Sequence, residues 1–293
     1  MKKSWRQAVN SLRQRHPGKS LRCLCGLFGK TREGYYSVNR EEMEARILLE
    51  NNMESMVQEI RKEDPGIGAY KLFLMLKDIY GKRMFGRDRF YKFLHQKHLM
   101  LPAQKRRHTT NSNHNYRKYK NQIKGYKPDG INKLWVADIT YIDTDSGVCY
   151  LHLLTDAFSH EIIGWSLSES LMAEHTLEAL NMALDKFSGY DCSSLIHHSD
   201  RGVQYCSNLY VERLKKFGIN ISMTEDGSPT DNAVAERVNG IIKQEWLYRM
   251  KRPNNFVEAK ELLDRIVYFY NEKRPHRSNQ MKTPVQIRSL SET

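Results

Sequence analysis

The chain has 293 residues, 40% of them hydrophobic, which is enough for about two domains with real cores and too apolar for a disordered tail or a mini-protein. Lys and Arg number 47 against 34 Asp and Glu, a net charge of +13 that makes a polyanion the first partner to test. Five scattered cysteines exclude a disulfide framework, and no run approaches the roughly 18 apolar residues of a membrane span, so a soluble cytoplasmic protein with no membrane partner is expected.

The charge is unevenly placed. Residues 1–130 carry 29 basic and 12 acidic side chains, net +17, whereas residues 131–293 carry 18 and 22, net −4. Two jobs are implied, with the basic half as the side suited to a polyanion. From Leu12 to Tyr36 the pattern reads helix, Gly-containing turn and short helix, with Leu21, Leu24, Leu27 and Phe28 on one face. Residues 41–60 form a longer amphipathic helix through Leu49, Met53, Met56 and Ile60. After Pro65-Gly66, AYKLFLMLKDIY closed by Gly81 and RDRFYKFLHQKHL are two helices at the spacing of a helix-turn-helix. Residues 103–130 hold almost no aliphatic residues and read as a basic linker. Then KLWVADITYIDT, CYLHLLTDAF and EIIGWSLS read as three meandering strands. Alternating helices (Ala173–Phe187, Ser207–Phe217) and short strands (SLIHH, INISM) follow, an α/β sheet with helices on it. The remainder is helical at Asp231–Tyr248 and Phe256–Tyr270, with a basic tail. The expected organisation is 1–40 small helical segment, 41–102 helix-turn-helix region, 103–130 linker and 131–293 α/β core with C-terminal helices.

Three acidic residues stand out. Asp138 sits inside the first strand beside Val136, Thr140 and Ile142, where an uncompensated carboxylate is costly. Asp200 comes where a strand ends, the place at which ligand groups gather in α/β sheets. Glu236 lies on a helix whose Val234, Val238, Ile241 and Glu245 form one stripe, leaving Asn232, Glu236, Asn239 and Lys243 on an opposite polar face. Converging carboxylates could hold two hard cations ~3.5–4 Å apart, the arrangement for in-line displacement at phosphorus. Oxygen ligands select Mg²⁺ or Mn²⁺, and Lys243 could hold a phosphate as a point charge.

The wording around each carboxylate carries more than the spacing. WVADITYID, HHSDRGVQY, DNAVAERVNGIIKQE and YNEKRPHRSNQMKTP resemble, in order, the motifs of the retroviral-integrase-like catalytic core, in particular the second-frame transposases of bacterial insertion sequences of the group numbered three. The 35 residues between Asp200 and Glu236, and Lys243 seven after Glu236, match that family's pattern. The resemblance covers about residues 131–288, with a weaker likeness over about 40–102. It implies an RNase H-like mixed sheet with flanking helices, preceded by an all-α helix-turn-helix region. It further implies a DNA transposase with Asp138, Asp200 and Glu236 as catalytic metal ligands for two Mg²⁺ or Mn²⁺ ions. A 3′-OH freed at the element's end would then attack target DNA directly, with no covalent protein intermediate. A homo-oligomer on DNA is implied, associated with the nucleoid. Another implied partner is a first-frame protein or fusion supplying a helix-turn-helix and leucine zipper, since no sustained heptad run is visible here.

Other candidates are weighed against plainer roles. Cys23-x-Cys25 with His95 and His98 has the wrong spacing for zinc. Arg87, Arg89, Lys92 and Gln96 face away from the aromatic side of their helix and are candidate DNA contacts, as are Lys105, Arg106, Arg107, Lys118 and Lys120 of the linker. The linker tyrosines could stack on bases or solvate a tether. His198, Asn232 and Asn239 are candidates to line the site. Arg274, His276 and Arg277 could touch DNA, although Pro275 and Pro284 suggest a structural turn.

Overall fold

The computed structural model describes residues 5–36, 40–101, 116–225 and 232–292, and the chain divides into two units, Met1–Met56 and Val57–Thr293. Lys105, Arg106 and Arg107 lie outside the described residues. The first unit contains helices α1 (Trp5–Arg15), α2 (Leu21–Gly26) and α3 (Arg32–Tyr36). Its small core is Val9, Leu24 and Cys25. Leu27 and Phe28, expected on the inward face, are exposed because α2 ends at Gly26 and the chain turns away from its helical path. Helix α4 (Arg40–Glu63) crosses into the second unit.

In the second unit, α5 (Ala69–Tyr80) and α6 (Arg87–Gln96) pack through Leu72, Phe73 and Leu76 against Phe90, Phe93 and Leu94. Phe73 and Phe90 ring centroids are 5.9 Å apart, and Phe90 and Phe93 are 6.0 Å apart. Burying these rings fixes the hairpin and leaves Arg87, Arg89, Lys92 and Gln96 exposed. Arg89 lies 4.2 Å over the Phe85 ring.

The sheet has five strands: β1 (Leu134–Thr144), β2 (Gly147–Asp156), β3 (Ile162–Ser168), β4 (Ile196–Ser199) and β5 (Asn220–Met223). Their order is β3-β2-β1-β4-β5, with β1 to β3 an antiparallel meander and β4 and β5 parallel to β1. Both faces are covered, so β1 alternates between two cores. Trp135 and Ala137 join the layer of α7 (Ala173–Lys186), α8 (Val203–Cys206) and α9 (Asn208–Lys216). Ile142 joins that of α10 (Ala233–Ile241) and α11 (Phe256–Glu272). Helix α7 approaches β3 so closely at Gly164 that a Cβ there would lie 2.0 Å from the Ala179 carbonyl oxygen.

Three features depart from the sequence pattern. The helix expected to run unbroken to Tyr248 stops at Ile241 and continues as a π-helical turn, Ile242–Leu247. That turn is pinned from α4 and the loop behind it. Trp246 Nε1 donates to the Glu63 carbonyl at 2.5 Å, and Lys71 and Arg274 both pair with Glu245. Gly66 packs against the Glu245 backbone, where a Cβ would sit 2.2 Å from its Cα. Glu245 therefore leaves the apolar stripe in which the periodicity placed it.

The second departure is the basic tail, which ends in a helix, α12 (Pro284–Ser291), opened by a capping box of Thr283 and Gln286. Arg288 and Lys186 both pair with buried Glu161, and Asn279 Nδ2 donates to the Ser159 carbonyl at 2.7 Å. The C-terminal segment thus clamps the β2–β3 turn. Arg274 and His276 are 2% and 3% exposed, so of the three candidates there only Arg277 faces solvent.

Third, the end of the linker is packed rather than free. Gln122 donates from its backbone to Ser222 Oγ and from its side chain to the Ile221 carbonyl, both at 2.8 Å. Tyr119 rests against the main core, while Tyr116, Tyr126, Lys118 and Lys120 are exposed. Covering β5 in this way protects the open edge of the sheet.

Candidate active site

The parallel pairing of β1 with β4 aligns Leu134 with Ile196 and Val136 with His198. Continuing that register by two residues sets Asp138 beside Asp200, just past the end of β4. Asp138 is held from two directions. Its Oδ1 accepts the Ile139 backbone N–H at 2.9 Å, and its Oδ2 accepts Asn239 Nδ2 at 2.7 Å. Asn232 Nδ2 donates to the Ala137 carbonyl at 2.9 Å. Asn232 and Asn239, candidates to line the site, are therefore buried, because the α10 segment packs against β1 at Ala137 and Asp138 and satisfies polar atoms there. Asp200 Oδ1 accepts the Gly202 N–H at 2.9 Å, closing the turn into α8. Glu236 stands exposed in the first turn of α10.

The electrostatics are those of crowded carboxylates. Burial, and next the charge of Asp200, push Asp138 up to about 7; Glu236 adds to the rise, while the hydrogen bonds from Asn239 and Ile139 oppose it. Burial lowers Lys243, and the charges of Asp138 and Asp143 work against that fall, so its ammonium lies within reach of the acidic cluster. Beneath the two aspartates, Tyr205 is pushed well above the usual phenol range by burial and then by Asp200, Tyr210 and Asp138.

The surroundings suit a hard cation. Tyr205 Oη, Asn232 Oδ1 and Asn239 Oδ1 are buried side-chain oxygens without a hydrogen-bond partner. With the carboxylates they make an environment rich in oxygen, which is what Mg²⁺ and Mn²⁺ select. Among the described residues, however, no three His, Cys, Asp or Glu side chains stand close enough to enclose an ion. Asp138 and Asp200 come together on the sheet, and Glu236 reaches them through its field, not as a closed third ligand.

His198 is buried, with Nδ1 2.8 Å from Ser222 Oγ, and so points along the sheet toward β5. His197 shares a 2.9 Å hydrogen bond with the Tyr210 hydroxyl, and burial followed by the neighbouring His198 lowers it to about 3. Burial thus favours the neutral form of that histidine. Tyr205 was not singled out by sequence reasoning. It stands within HHSDRGVQY, yet nothing in its spacing separates it from an ordinary core aromatic.

Comparison with known proteins places this geometry. Two integrase core domain models match residues 128–229 and 217–284. The 31 kDa protein of insertion element IS600 from Shigella sonnei is 34% identical over 86% of this chain and 93% of its own length. This chain belongs to the insertion-sequence transposases with an integrase core. The transposase of IS629 from Shigella sonnei is 37% identical over 52% of this chain and 49% of that protein. The transposase of IS904 from Lactococcus lactis is 34% identical over 56% and 63%. Among solved structures, the HTLV-2 integrase catalytic core domain in complex with magnesium matches with a TM-score of 0.44 at 20% identity, over 55% of this chain and 99% of that one. A chain of the simian T-cell lymphotropic virus intasome matches with a TM-score of 0.49 at 18% identity, over 76% and 70%. The transposase is a DDE-type polynucleotidyl transferase acting in DNA transposition, built on a five-stranded mixed sheet preceded by helices. None of its described helices is long and apolar enough to cross a membrane.

Proposed function

We propose that the transposase cleaves DNA at the ends of its insertion sequence and transfers the freed 3′-OH into target DNA, with Asp138, Asp200 and Glu236 holding two Mg²⁺ or Mn²⁺ ions. The observation that carries this reading is the pair Asp138 and Asp200, the first within β1 and the second just past the end of the parallel β4, with Asp138 raised to about 7 by burial and then by the charge of Asp200. When bound, such cations supply activation of the attacking oxygen and stabilisation of the leaving one. The protein's own part is orientation. Asn239 and the Ile139 N–H fix both oxygens of Asp138, the Gly202 N–H fixes Asp200, and α10 presents Glu236. Lys243, beside the cluster, steadies a phosphate by charge.

DNA is the partner, gripped by Arg87, Arg89, Lys92 and Gln96 on the exposed side of α6 and by Lys118 and Lys120 of the linker. Lys105, Arg106 and Arg107 belong to the same reading. Two ends must be brought together, so the working species is an oligomer, with a first-frame protein as a further partner. The test is to convert each carboxylate to its amide and assay Mg²⁺-dependent joining of an element-end duplex to target DNA. Each variant is expected to lose joining by at least ~100-fold, since removing charge stabilisation of a transition state typically costs that much. Retained joining in any single variant rejects the triad as assigned.

A further inference from the structure

The catalytic half is net acidic, yet it carries a dense local run of cations. Lys243, Arg249, Lys251 and Arg252 fall within ten residues, and the one carboxylate among them, Glu245, is already engaged by Lys71 and Arg274. Two of these cations, Lys243 and Arg252, line a groove of about 390 Å³ between β1 and the segment that follows the π-helical turn. Tyr141, Lys243, Leu247, Tyr248, Met250 and Arg252 line it. The volume falls within the ~300–1,000 Å³ of small-ligand sites and suits one nucleotide.

Two tyrosines are left on the surface here, Tyr141 at 45% and Tyr248 at 59% exposure. Exposed aromatic rings cost hydration free energy, and beside cations they form the usual platform for a nucleobase. One side chain links the groove to the carboxylates. Lys243 Nζ lies 5.4 Å above the Tyr141 ring and within the field of Asp138, so one ammonium belongs to both places. A single carboxylate, Asp143, lies on the wall. It would repel a phosphate, and this favours seating the phosphate between Lys243 and Arg252.

We propose that this groove is a nucleotide subsite for DNA beside the acidic cluster: the base of a terminal nucleotide rests on Tyr141 and Tyr248, and its phosphate lies between Lys243 and Arg252. The subsite rests on the strand-transfer reading above, and it gives the acidic half a grip of its own. The test uses the full chain with a DNA duplex carrying 2-aminopurine at its 3′-terminal position, titrated in chelator so that no chemistry occurs. The wild type should quench the fluorophore by stacking. Tyr248→Ala should abolish most of the quench and weaken binding by about 5-fold or more, since a base–aromatic stack is worth at least about 1 kcal/mol. Tyr248→Phe should keep both, and Arg252→Ala should reduce the dependence of log affinity on log salt by about one. Tyr248 is a rim residue, and circular dichroism checks that each variant is folded. Unchanged quenching and affinity in Tyr248→Ala, or an unchanged salt slope in Arg252→Ala, would overturn the proposal. The two readings fail separately: Asp138→Asn should abolish joining and leave the quench intact, and joining that survives Asp138→Asn sinks the triad whatever the groove does.

Discussion

Replacing Asp138 by Asn should abolish Mg²⁺-dependent joining and make the metal-free transposase more stable. Asp138 is raised from 3.8 to about 7 in the folded protein, a shift of roughly 3 units, and each unit corresponds to about 1.4 kcal/mol. Below about pH 4 the carboxyl is protonated in folded and unfolded chains alike, and it costs nothing. Between about pH 4 and 7 the unfolded chain gives up this proton first, so rising pH destabilises the fold. Above about pH 7 the full penalty applies, with a ceiling of about 4 kcal/mol. Relaxation and water entry should leave roughly 2–3 kcal/mol of it. Asn keeps the shape and carries no charge; its one oxygen accepts the Ile139 N–H, and its NH2 donates to Asn239 Oδ1 once the Asn239 amide turns over. The assay is thermal unfolding in chelator at pH 4, 6 and 8, wild type against Asp138→Asn. The variant should melt roughly 5–10 °C higher at pH 8, and the gap should close at pH 4. Mg²⁺ should raise the wild-type melting temperature at pH 8 and leave the variant's unmoved. A variant no more stable at pH 8, or stabilised equally at pH 4, would refute the argument that crowded carboxylates strain this site.

Two further outcomes follow from the packing. Gly66→Ala places a Cβ 2.2 Å from the Glu245 Cα and must push the loop off the π-helical turn by more than about 1 Å. That should cost about 2–4 kcal/mol in a urea unfolding series, by overpacking and by loosening the Lys71–Glu245 pair, and a neutral result would contradict the tight contact. Arg87→Ala combined with Lys92→Ala removes two exposed cations from α6 and should lower the salt slope of DNA binding by about two with no change in melting temperature. An unchanged slope would remove that helix face from the DNA contact.

The sequence by itself determined the strands, the order of the elements and the family. Runs rich in β-branched and aromatic residues between turn residues identify β1 to β3, because a sheet covered on both faces needs such side chains on both. The text around Asp138, Asp200 and Glu236 identifies an integrase-type core, because the chemistry needs those oxygens in that chain order. Helical periodicity also delimits α5 and α6, whose aromatic residues pack as their spacing demands.

Only the tertiary structure decided what each polar residue near those carboxylates does. Periodicity assigns a residue to a face of its own helix, and it does not say which neighbour covers that face. Asn232 at the start of α10 and Asn239 on its polar side turn inward because they meet β1 where the Ala137 carbonyl and the Asp138 carboxylate need donors. Arg274 and His276 belong to a basic stretch in the text, yet they are buried because Glu245, 29 residues away, needs a counter-charge. The charge balance is likewise a property of the fold. Counting divides the chain into a basic half that binds and an acidic half that reacts, and the folded chain gathers Lys243 and Arg252 beside two exposed tyrosines at the edge of the acidic site. Local pattern fixes helices and strands because their hydrogen bonds are local. The pairing of charges in a folded core depends on which segments meet, and that is decided across the whole chain.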